Sequence, residues 1–173
     1  MPELTAGVQA LWFPHHFLEG AEYLGEEGVF FQEELNDCGG ASLKMILDHF
    51  GNPIDYRRLR RQLPIGLEGT TMLSIKRLAE THGLLCEGWR LALPDLLRTP
   101  LPAVLLLCRK HFVVLQSLQN AAIILDPVRG RLSVPARRLV SLWNGETLLF
   151  STPNHLNGQH RWFRRGRGKG VSV

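Results

Sequence analysis

The sequence contains little cysteine, and its cysteines show no partner spacing. Cys38, Cys86 and Cys108 are an odd number of thiols, and none belongs to a C-x-x-C pair. This pattern excludes a disulfide framework and a zinc knuckle, which both need regularly spaced cysteines. We therefore expect the chain to work in the reducing environment of the cytoplasm.

Long apolar runs and nucleotide-binding motifs are also absent. The longest run, residues 103–108, is far shorter than the ~20 residues of a membrane-spanning helix. No basic region followed by an apolar core begins the chain, so we expect no signal peptide. The phosphate-binding motif G-x-x-x-x-G-K-[S/T] does not occur, which argues against an ATPase. No spacing resembles a metal-ligand set, so we expect neither a metal nor a cofactor.

The first 43 residues carry no lysine or arginine. They contain eight of the 16 acidic residues, whereas residues 44–173 hold all 20 basic residues beside the other eight acids. This asymmetry predicts an acidic N-terminal arm, residues 1–28, and a flexible basic tail, residues 153–173. It favours an acidic partner or a contact between the halves, and a merely solvated surface is the alternative. A nucleic-acid partner rests on charge alone, so we do not expect one.

The remaining composition is that of one globular domain, with 45% hydrophobic and 21% charged residues. Helical periodicity predicts helices that begin near residue 38 and near residue 72, and shorter ones over 17–24, 54–63, 94–98 and 135–143. Apolar runs predict strands over 29–31, 84–91, 103–108, 111–118, 121–126 and 147–150. Helices therefore come first and an antiparallel sheet second, which is an α+β arrangement.

Cys38 lies at the start of the first of these helices. Asn36 and Asp37 are good N-cap residues, so the helix should begin at or next to the cysteine. A thiol at the positive end of a helix dipole has a lowered pKa. Gly39 and Gly40 have no side chains to shield the sulfur, so a substrate backbone could approach it closely. An ordinary half-buried cysteine is the alternative.

A nucleophilic thiol needs a base, and the base needs a group that orients it. Of the seven histidines only His111 begins an apolar strand, and Asp126 ends the next strand. An even loop between these strands, such as Gln119-Asn120, would place the two side chains diagonally on one face, ~7–8 Å apart at Cα. An odd loop would put Asp126 on the other face. A structural histidine and a turn aspartate are the ordinary explanations.

Three motifs resemble the bacteriocin-processing peptidases, which are papain-like cysteine peptidase domains at the N-terminus of peptide-exporting ABC transporters. These motifs are Gln32-x5-Cys38-Gly39, His111-Phe112-Val113-Val114 and Asp126-Pro127. The resemblance extends over residues 30–150 and includes Gly69-Thr70, Pro100, Pro102 and Trp143. It implies a papain-like fold in which N-terminal helices pack on a C-terminal antiparallel sheet, with residues 29–152 as the peptidase domain.

The same resemblance implies a role for each site residue. Cys38 is the expected nucleophile, His111 the general base and acid, and Asp126 the residue that orients His111. The side-chain amide of Gln32 and the backbone N–H of Cys38 are the expected oxyanion hole. The expected substrate contacts are Gly39, Gly40 and Phe112.

The family cleaves leader peptides after Gly-Gly or Gly-Ala and so matures secreted peptides such as bacteriocins. A leader of this kind docks as an amphipathic helix. Such leaders are often acidic, so the basic body should attract them, and four arginines are expected on the outer face of the helix over 54–63: Arg57, Arg58, Arg60 and Arg61. The expected partners are a leader-bearing precursor and a separate ABC transporter at the inner face of the membrane.

Two departures from the family pattern leave alternatives open. Ser42 stands where the family often has a second cysteine, which is no obstacle to catalysis. The transmembrane segments and ATPase of the transporters are missing, which predicts a free-standing or excised domain. A non-catalytic module that only binds leaders is one alternative, although Cys38, His111 and Asp126 are all present. An acyltransferase on the same fold is another, because its first half-reaction is identical.

Overall fold

The computed structural model describes residues 20–66 and 69–153, and these form seven strands and five helices. The strands are β1 (Glu22–Gly25), β2 (Leu85–Arg90), β3 (Ala103–Leu107), β4 (His111–Leu118), β5 (Ala121–Asp126), β6 (Gly130–Pro135) and β7 (Trp143–Ser151). The helices are α1 (Cys38–His49), α2 (Tyr56–Gln62), α3 (Met72–Thr81), α4 (Leu93–Leu96) and α5 (Ala136–Leu142). Most of the predicted acidic arm and basic tail lies outside the described residues.

All seven strands join one antiparallel sheet in the order β1-β6-β5-β4-β3-β7-β2. Its central strands are apolar on both faces, as their near-continuous hydrophobic runs predict. One face, with Val104 and Val114, packs against α1, α2 and α3. The other face, with Leu105 and Leu115, packs against α4 and α5. The predicted α+β class is confirmed.

Helix α1 begins at Cys38, with Asp37 as its N-cap, as predicted. Its apolar stripe is fully buried at Leu43, Ile46 and Leu47, and the helix packs on β4. Burying three such side chains contributes about 5–9 kcal/mol of transfer free energy. This packing holds the first turn of α1 at the end of the sheet where β4 begins.

The N-terminal part of the sheet differs from the sequence-based expectation. Residues 22–25 form the edge strand β1, where the predicted helix over 17–24 was wrong for its described part. Glu22, Tyr23 and Leu24 are all exposed, so this segment has no apolar face to bury as a helix, and it pairs with β6 instead. No strand forms over 29–31, because the chain turns there toward Pro127, whose carbonyl accepts the Gln32 N–H at 2.9 Å.

Strand β6 was not predicted, and β7 is longer than predicted. In β6 the residues alternate between buried and half-buried, with Leu132 and Val134 in the core. Strand β7 begins at Trp143, which pairs with Leu107. Gly130 and Arg131 begin β6, and Asn144, Gly145 and Glu146 lie near the start of β7, so neither segment opens with the apolar run that indicates a strand. None of the described helices is long and apolar enough to cross a membrane.

Candidate active site

Three chain elements meet at one end of the sheet and each supplies one side chain. Helix α1 begins with Cys38, β4 begins with His111, and β5 ends with Asp126. The three residues are 8%, 5% and 0% exposed. A thiol, an imidazole and a carboxylate are therefore collected in a nearly dry pocket, where their mutual electrostatic interactions are strong.

The β4–β5 hairpin sets the relation between His111 and Asp126 in an unexpected way. Leu118 pairs with Ala122, which leaves an odd number of residues in the loop, so the predicted even loop is wrong. The pairing then shifts by one residue at Gln116, and Val114 lies opposite Leu125. This bulge restores the register that an even loop would have produced. The predicted placement of His111 diagonal to Asp126 is therefore confirmed.

Nε2 of His111 donates a hydrogen bond of 2.9 Å to Oδ1 of Asp126. The same carboxylate accepts hydrogen bonds from the backbone N–H groups of Val128, at 2.8 Å, and Arg129, at 3.3 Å. The guanidinium of Arg129 also donates to Oδ2 at 3.3 Å. With four donors around it, the carboxylate is held in one orientation and can fix the imidazole ring.

These contacts determine which groups are charged. Burial would raise the pKa of Asp126, but His111, Arg129 and the Val128 N–H together hold it below its ordinary range. Burial would lower the pKa of His111, but the charge and hydrogen bond of Asp126, followed by the interaction with Cys38, raise it to about 9. At neutral pH the pair is therefore an imidazolium and a carboxylate.

The thiol of Cys38 is polarised toward the thiolate. Burial would raise its pKa, but the hydrogen bond and charge of His111 lower it below its ordinary value. The backbone N–H groups of Phe112 and Gly39 lower the pKa of Cys38 further. Because Nε2 of the imidazole faces Asp126, Nδ1 is the nitrogen that serves the thiol. The arrangement can supply a nucleophilic sulfur and an acid beside it.

Gly39 and Gly40 are both buried, and protein side chains fill the space beside them. A Cβ on Gly39 would overlap the methyl group of Thr70 and lie 3.2 Å from Phe112. A Cβ on Gly40 would lie 2.9 Å from the hydroxyl of Tyr56. Close packing is thus sufficient to require glycine at both positions, and substrate contact by these glycines and Phe112 stays a prediction.

Gln32 lies in the loop that leads to Cys38. Its Nε2 donates to the backbone carbonyls of Glu34, at 2.7 Å, and Leu35, at 3.2 Å. Its backbone N–H is bonded to Pro127, next to Asp126. The side-chain amide is therefore anchored beside the site, and its role in an oxyanion hole stays a prediction.

Arg60 corrects the expectation that four arginines lie on the outer face of α2. Arg57, Arg58 and Arg61 are exposed, but Arg60 turns toward the loop before Cys38 and pairs with Glu34 and Asp37. The helical spacing does carry a signal for this, because Arg60 follows Tyr56 by four residues and so lies on the same side of α2 as the buried Leu59 and Leu63.

An open cleft of about 770 Å³ lies beside the same loop. Its lining residues are Glu34, Leu35, Asn36, Arg60, Ile65 and Gly66. Two apolar and two charged side chains thus face a space that is large enough for several residues of an extended peptide.

The other two thiols differ from Cys38. Cys86 is buried in the core, where burial raises its pKa to about 12, so it stays protonated. Cys108 is an exposed residue at the β3–β4 turn, and partial burial of its thiol raises its pKa. Across residues 20–66 and 69–153, no cluster of three His, Cys, Asp or Glu side chains is arranged to hold a metal ion.

Comparison with known proteins gives consistent matches over this part of the chain. The probable microcin-H47 secretion/processing ATP-binding protein of Escherichia coli is 38% identical over 104 residues, which are 60% of this chain and 15% of that protein. The probable functional amyloid protease of Pseudomonas aeruginosa is 30% identical over 120 residues, which are 62% of this chain and 53% of that protein. The chain therefore spans only part of the length of these relatives.

The fold also matches solved structures. A double glycine motif protease from an AMS/PCAT transporter, crystallised with the leader peptide, superposes with a TM-score of 0.69 and 27% identity, over 70% of this chain and 89% of that one. The peptidase domain of Streptococcus ComA, at 22% identity and a TM-score of 0.66, shares the fold. The predicted papain-like fold is thereby confirmed. Residues 26–155 match the Peptidase C39 family, and the chain belongs to this family of cysteine peptidases.

Proposed function

We propose that the protein is an endopeptidase that cleaves a leader peptide after a Gly-Gly or Gly-Ala pair and so matures a secreted peptide such as a bacteriocin. The observation that carries this proposal is the buried array of Cys38, His111 and Asp126, with the hydrogen bond of 2.9 Å between the last two. Related proteins that carry the same domain are named for secretion and processing, which supports the substrate class.

In the first half-reaction the thiolate of Cys38 attacks the carbonyl carbon of the glycine before the scissile bond. A C–S bond forms, and the carbonyl π electrons move onto oxygen. When this tetrahedral species collapses, the C–N bond breaks, and the imidazolium of His111 gives its proton to the leaving amine. The released amine is the N-terminus of the mature peptide, and the leader stays on sulfur as a thioester.

In the second half-reaction water attacks the thioester. His111, now neutral, takes one proton from the water as the new C–O bond forms. The C–S bond then breaks, which releases the leader with a C-terminal carboxyl group and restores the thiolate–imidazolium pair. The carboxyl group gives the second proton of the water to solvent and becomes a carboxylate. Throughout the cycle Asp126 stays ionised and holds the imidazole through Nε2.

The oxyanion of both tetrahedral species needs hydrogen-bond donors beside Cys38. The backbone N–H of Cys38, at the start of α1, is one proposed donor. The side-chain amide of Gln32 is the other, and its longer bond, 3.2 Å to the carbonyl of Leu35, is the contact it would exchange for the oxyanion. The shorter bond, 2.7 Å to the carbonyl of Glu34, would keep the side chain attached to the loop during this exchange.

The burial of the nucleophile supports a preference for glycine. Cys38 is only 8% exposed, and the turn of α1 that follows it packs tightly against Thr70. A peptide backbone that reaches the sulfur through so narrow an approach must carry little or no side chain at the residues before the scissile bond. The cleft lined by Leu35 and Ile65 is the proposed seat for the preceding part of the leader.

The partner proposals follow from the same relatives. We infer that the substrate is a leader-bearing precursor and that a separate ABC transporter at the cytoplasmic face of a membrane receives the product. The relative named as a functional amyloid protease supports a second substrate class, a functional amyloid protein. Both classes require the same cleavage chemistry at Cys38.

A cleavage assay read by mass spectrometry tests the function. The full chain is incubated with a leader that ends in Gly-Gly and with the same leader ending in Ala-Leu. We expect cleavage after Gly-Gly alone, with none detectable for Cys38→Ala. The matched control is Cys108→Ala, which removes an exposed thiol and should leave kcat/KM unchanged.

Two other outcomes would redirect the proposal. Saturable leader binding by both wild type and Cys38→Ala, without cleavage, would identify a docking module. A product in which an added amine or thiol is joined to the leader would identify an acyltransferase. Cleavage that persists in Cys38→Ala would contradict the role of this thiol.

A further inference from the structure

The loop over residues 32–37, which leads into Cys38, is tied to helix α2 by one side chain. Nε of Arg60 donates to Oδ1 of Asp37 at 3.3 Å, and Nη2 of Arg60 lies 3.0 Å from Oε2 of Glu34. One guanidinium therefore bridges two positions of the loop, three residues apart. The planar guanidinium holds its N–H donors in fixed directions, so it can reach both carboxylates at once. A lysine ammonium is a point charge without this fixed geometry and could not form the same bridge.

Asp37 is an unusual residue to place directly before a nucleophilic thiol. It is only 1% exposed, so its carboxylate is removed from water. A buried carboxylate without a cation is costly, and a negative charge next to Cys38 disfavours the thiolate. Arg60 supplies the compensating positive charge, and Asp37 in turn raises the pKa of Arg60.

The bridge also reaches the proposed oxyanion donor. The backbone carbonyl of Glu34 accepts both the Gln32 side-chain amide, at 2.7 Å, and the Asp37 N–H, at 3.2 Å. The side chain of Glu34 is the second partner of Arg60. Movement of Arg60 would therefore loosen the loop at the residues that hold Gln32 and at the residue that precedes Cys38.

Tyr56, one turn before Arg60 on α2, is a second residue of this helix that lies close to Asp37. Its hydroxyl and Oδ1 of Asp37 lie on the same side of Gly40, 2.9 and 3.4 Å from where a Cβ would be. Burial, followed by the nearby Asp37 carboxylate, raises the pKa of Tyr56, so the phenol keeps its proton. On the sheet side, the charged groups that face Cys38 are His111 and, behind it, Asp126.

We propose that Arg60 is a positioning residue for the reaction: by bridging Glu34 and Asp37 it fixes the loop that carries Gln32 and Cys38, and it neutralises the buried carboxylate beside the nucleophile. The inference rests on the proposed function only in assigning Cys38 and Gln32 their roles. It assigns to Arg60 a task different from that of the exposed arginines on the same helix, whose charge faces solvent.

The test compares Arg60→Met with Arg61→Met in the full chain. Arg61 is one residue further along α2, is exposed, and bonds only to a backbone carbonyl of its own helix among the hydrogen bonds described. Two readouts are used. The rate of Cys38 alkylation by iodoacetamide is followed against pH by site-resolved mass spectrometry, and kcat and KM are measured with the Gly-Gly leader.

For Arg60→Met we expect an alkylation profile moved to higher pH and a kcat lowered about 10- to 100-fold, because small displacements of reacting groups have effects of this size. We expect KM to change less than about twofold, since the loop contacts are made in the free enzyme. Arg61→Met should match wild type in both readouts. Arg60→Lys should recover the alkylation profile more fully than kcat, since it restores the charge but not the bridge.

The double variant Arg60→Met/Asp37→Asn separates charge from folding. The double variant removes both charges of the Arg60–Asp37 pair, so no unpaired carboxylate stays buried and the protein should fold even if Arg60→Met does not. Its Cys38 alkylation profile should return toward that of wild type. A profile as displaced as that of the single variant would overturn charge compensation. A rise in KM alone for Arg60→Met, with kcat and alkylation unchanged, would overturn positioning and make Arg60 a substrate contact.

The alkylation readout needs no peptide substrate. If the wild-type chain leaves the Gly-Gly leader intact while alkylation of Cys38 still depends on Arg60, the proposed function fails and the role of Arg60 in setting the thiol stands. If the leader is cleaved and neither kcat nor alkylation depends on Arg60, the proposed function stands and this inference is wrong.

Discussion

Replacement of Asp126 by asparagine tests the electrostatic basis of the site. The asparagine keeps the size of the side chain and a carbonyl oxygen that can accept from Nε2 of His111 and from the Val128 N–H, so the geometry should persist. What it removes is the negative charge. Asp126 is fully buried, so little water is present to replace that charge.

The size of the expected effect follows from how far the pKa of His111 is raised. The difference between about 9 in the folded protein and the ordinary 6.5 corresponds to about 3 kcal/mol in favour of the imidazolium. Asp126 is the first contributor to this difference and Cys38 the second, while burial acts against both. Without the charge of Asp126 the pKa of His111 should fall toward its ordinary value, and at about pH 7.5 the imidazolium fraction should fall by up to roughly tenfold.

The assay is kcat/KM against pH for Asp126→Asn, with the Gly-Gly leader as substrate. In wild type, activity should rise as pH passes the lowered pKa of Cys38 and fall as pH rises through about 9, where His111 loses its proton. In the variant the two limbs should move toward each other, because the acid and the nucleophile each lose the partner that stabilises its charge. The maximum should fall about tenfold or more.

Asp48→Asn is the matched control, since Asp48 is an exposed aspartate at the other end of α1. Its profile should coincide with that of wild type. An alkaline limb that stays at about 9 in Asp126→Asn would refute the reasoning, because it would show that the charge of Asp126 does not hold the proton on His111.

Two further predictions concern the surroundings of the site. Gly39→Ala should lower the free energy of unfolding by about 1–3 kcal/mol in denaturant titration, because the added methyl overlaps Thr70. Thr70→Ser in the same chain should restore part of the loss. Equal stability of Gly39→Ala and wild type would contradict this packing. Arg129→Gln should move the alkaline limb to higher pH, because Arg129 competes with His111 for Asp126. Its kcat/KM at neutral pH should change less than about twofold, since His111 is already protonated there, and a limb at lower pH would show that Arg129 supports the pair in another way.

The sequence predicted the elements that carry the candidate site residues better than it predicted the edge of the sheet. Asp37 before Cys38, followed by an apolar stripe at helical spacing, predicted where α1 begins, because caps and periodicity are local properties. The run that begins with His111 predicted β4, because buried central strands are apolar on both faces. Strand β1 was missed because its partner β6 is distant in the sequence, and β6 was missed because Gly130, Arg131 and Ser133 separate its few apolar residues.

The loop between β4 and β5 shows how a local rule can fail while its consequence holds. A loop length could be guessed from Gln119 and Asn120, but the bulge at Gln116 could not, because a bulge depends on which register lets both faces of the sheet pack. The odd loop and the bulge each shift the pairing by one residue, and the two shifts cancel. The diagonal contact between His111 and Asp126 is therefore a property of the packed sheet.

By itself the sequence determined the candidate site residues, their order along the chain and the family, since motif spacing is read directly from the residues. Only the tertiary structure decided that Arg60 pairs with Glu34 and Asp37. The same is true of the pKa values, because burial and the directions of hydrogen bonds exist only once distant segments pack together. The amino-acid sequence specifies which groups can ionise, and the fold determines which of them are charged at neutral pH.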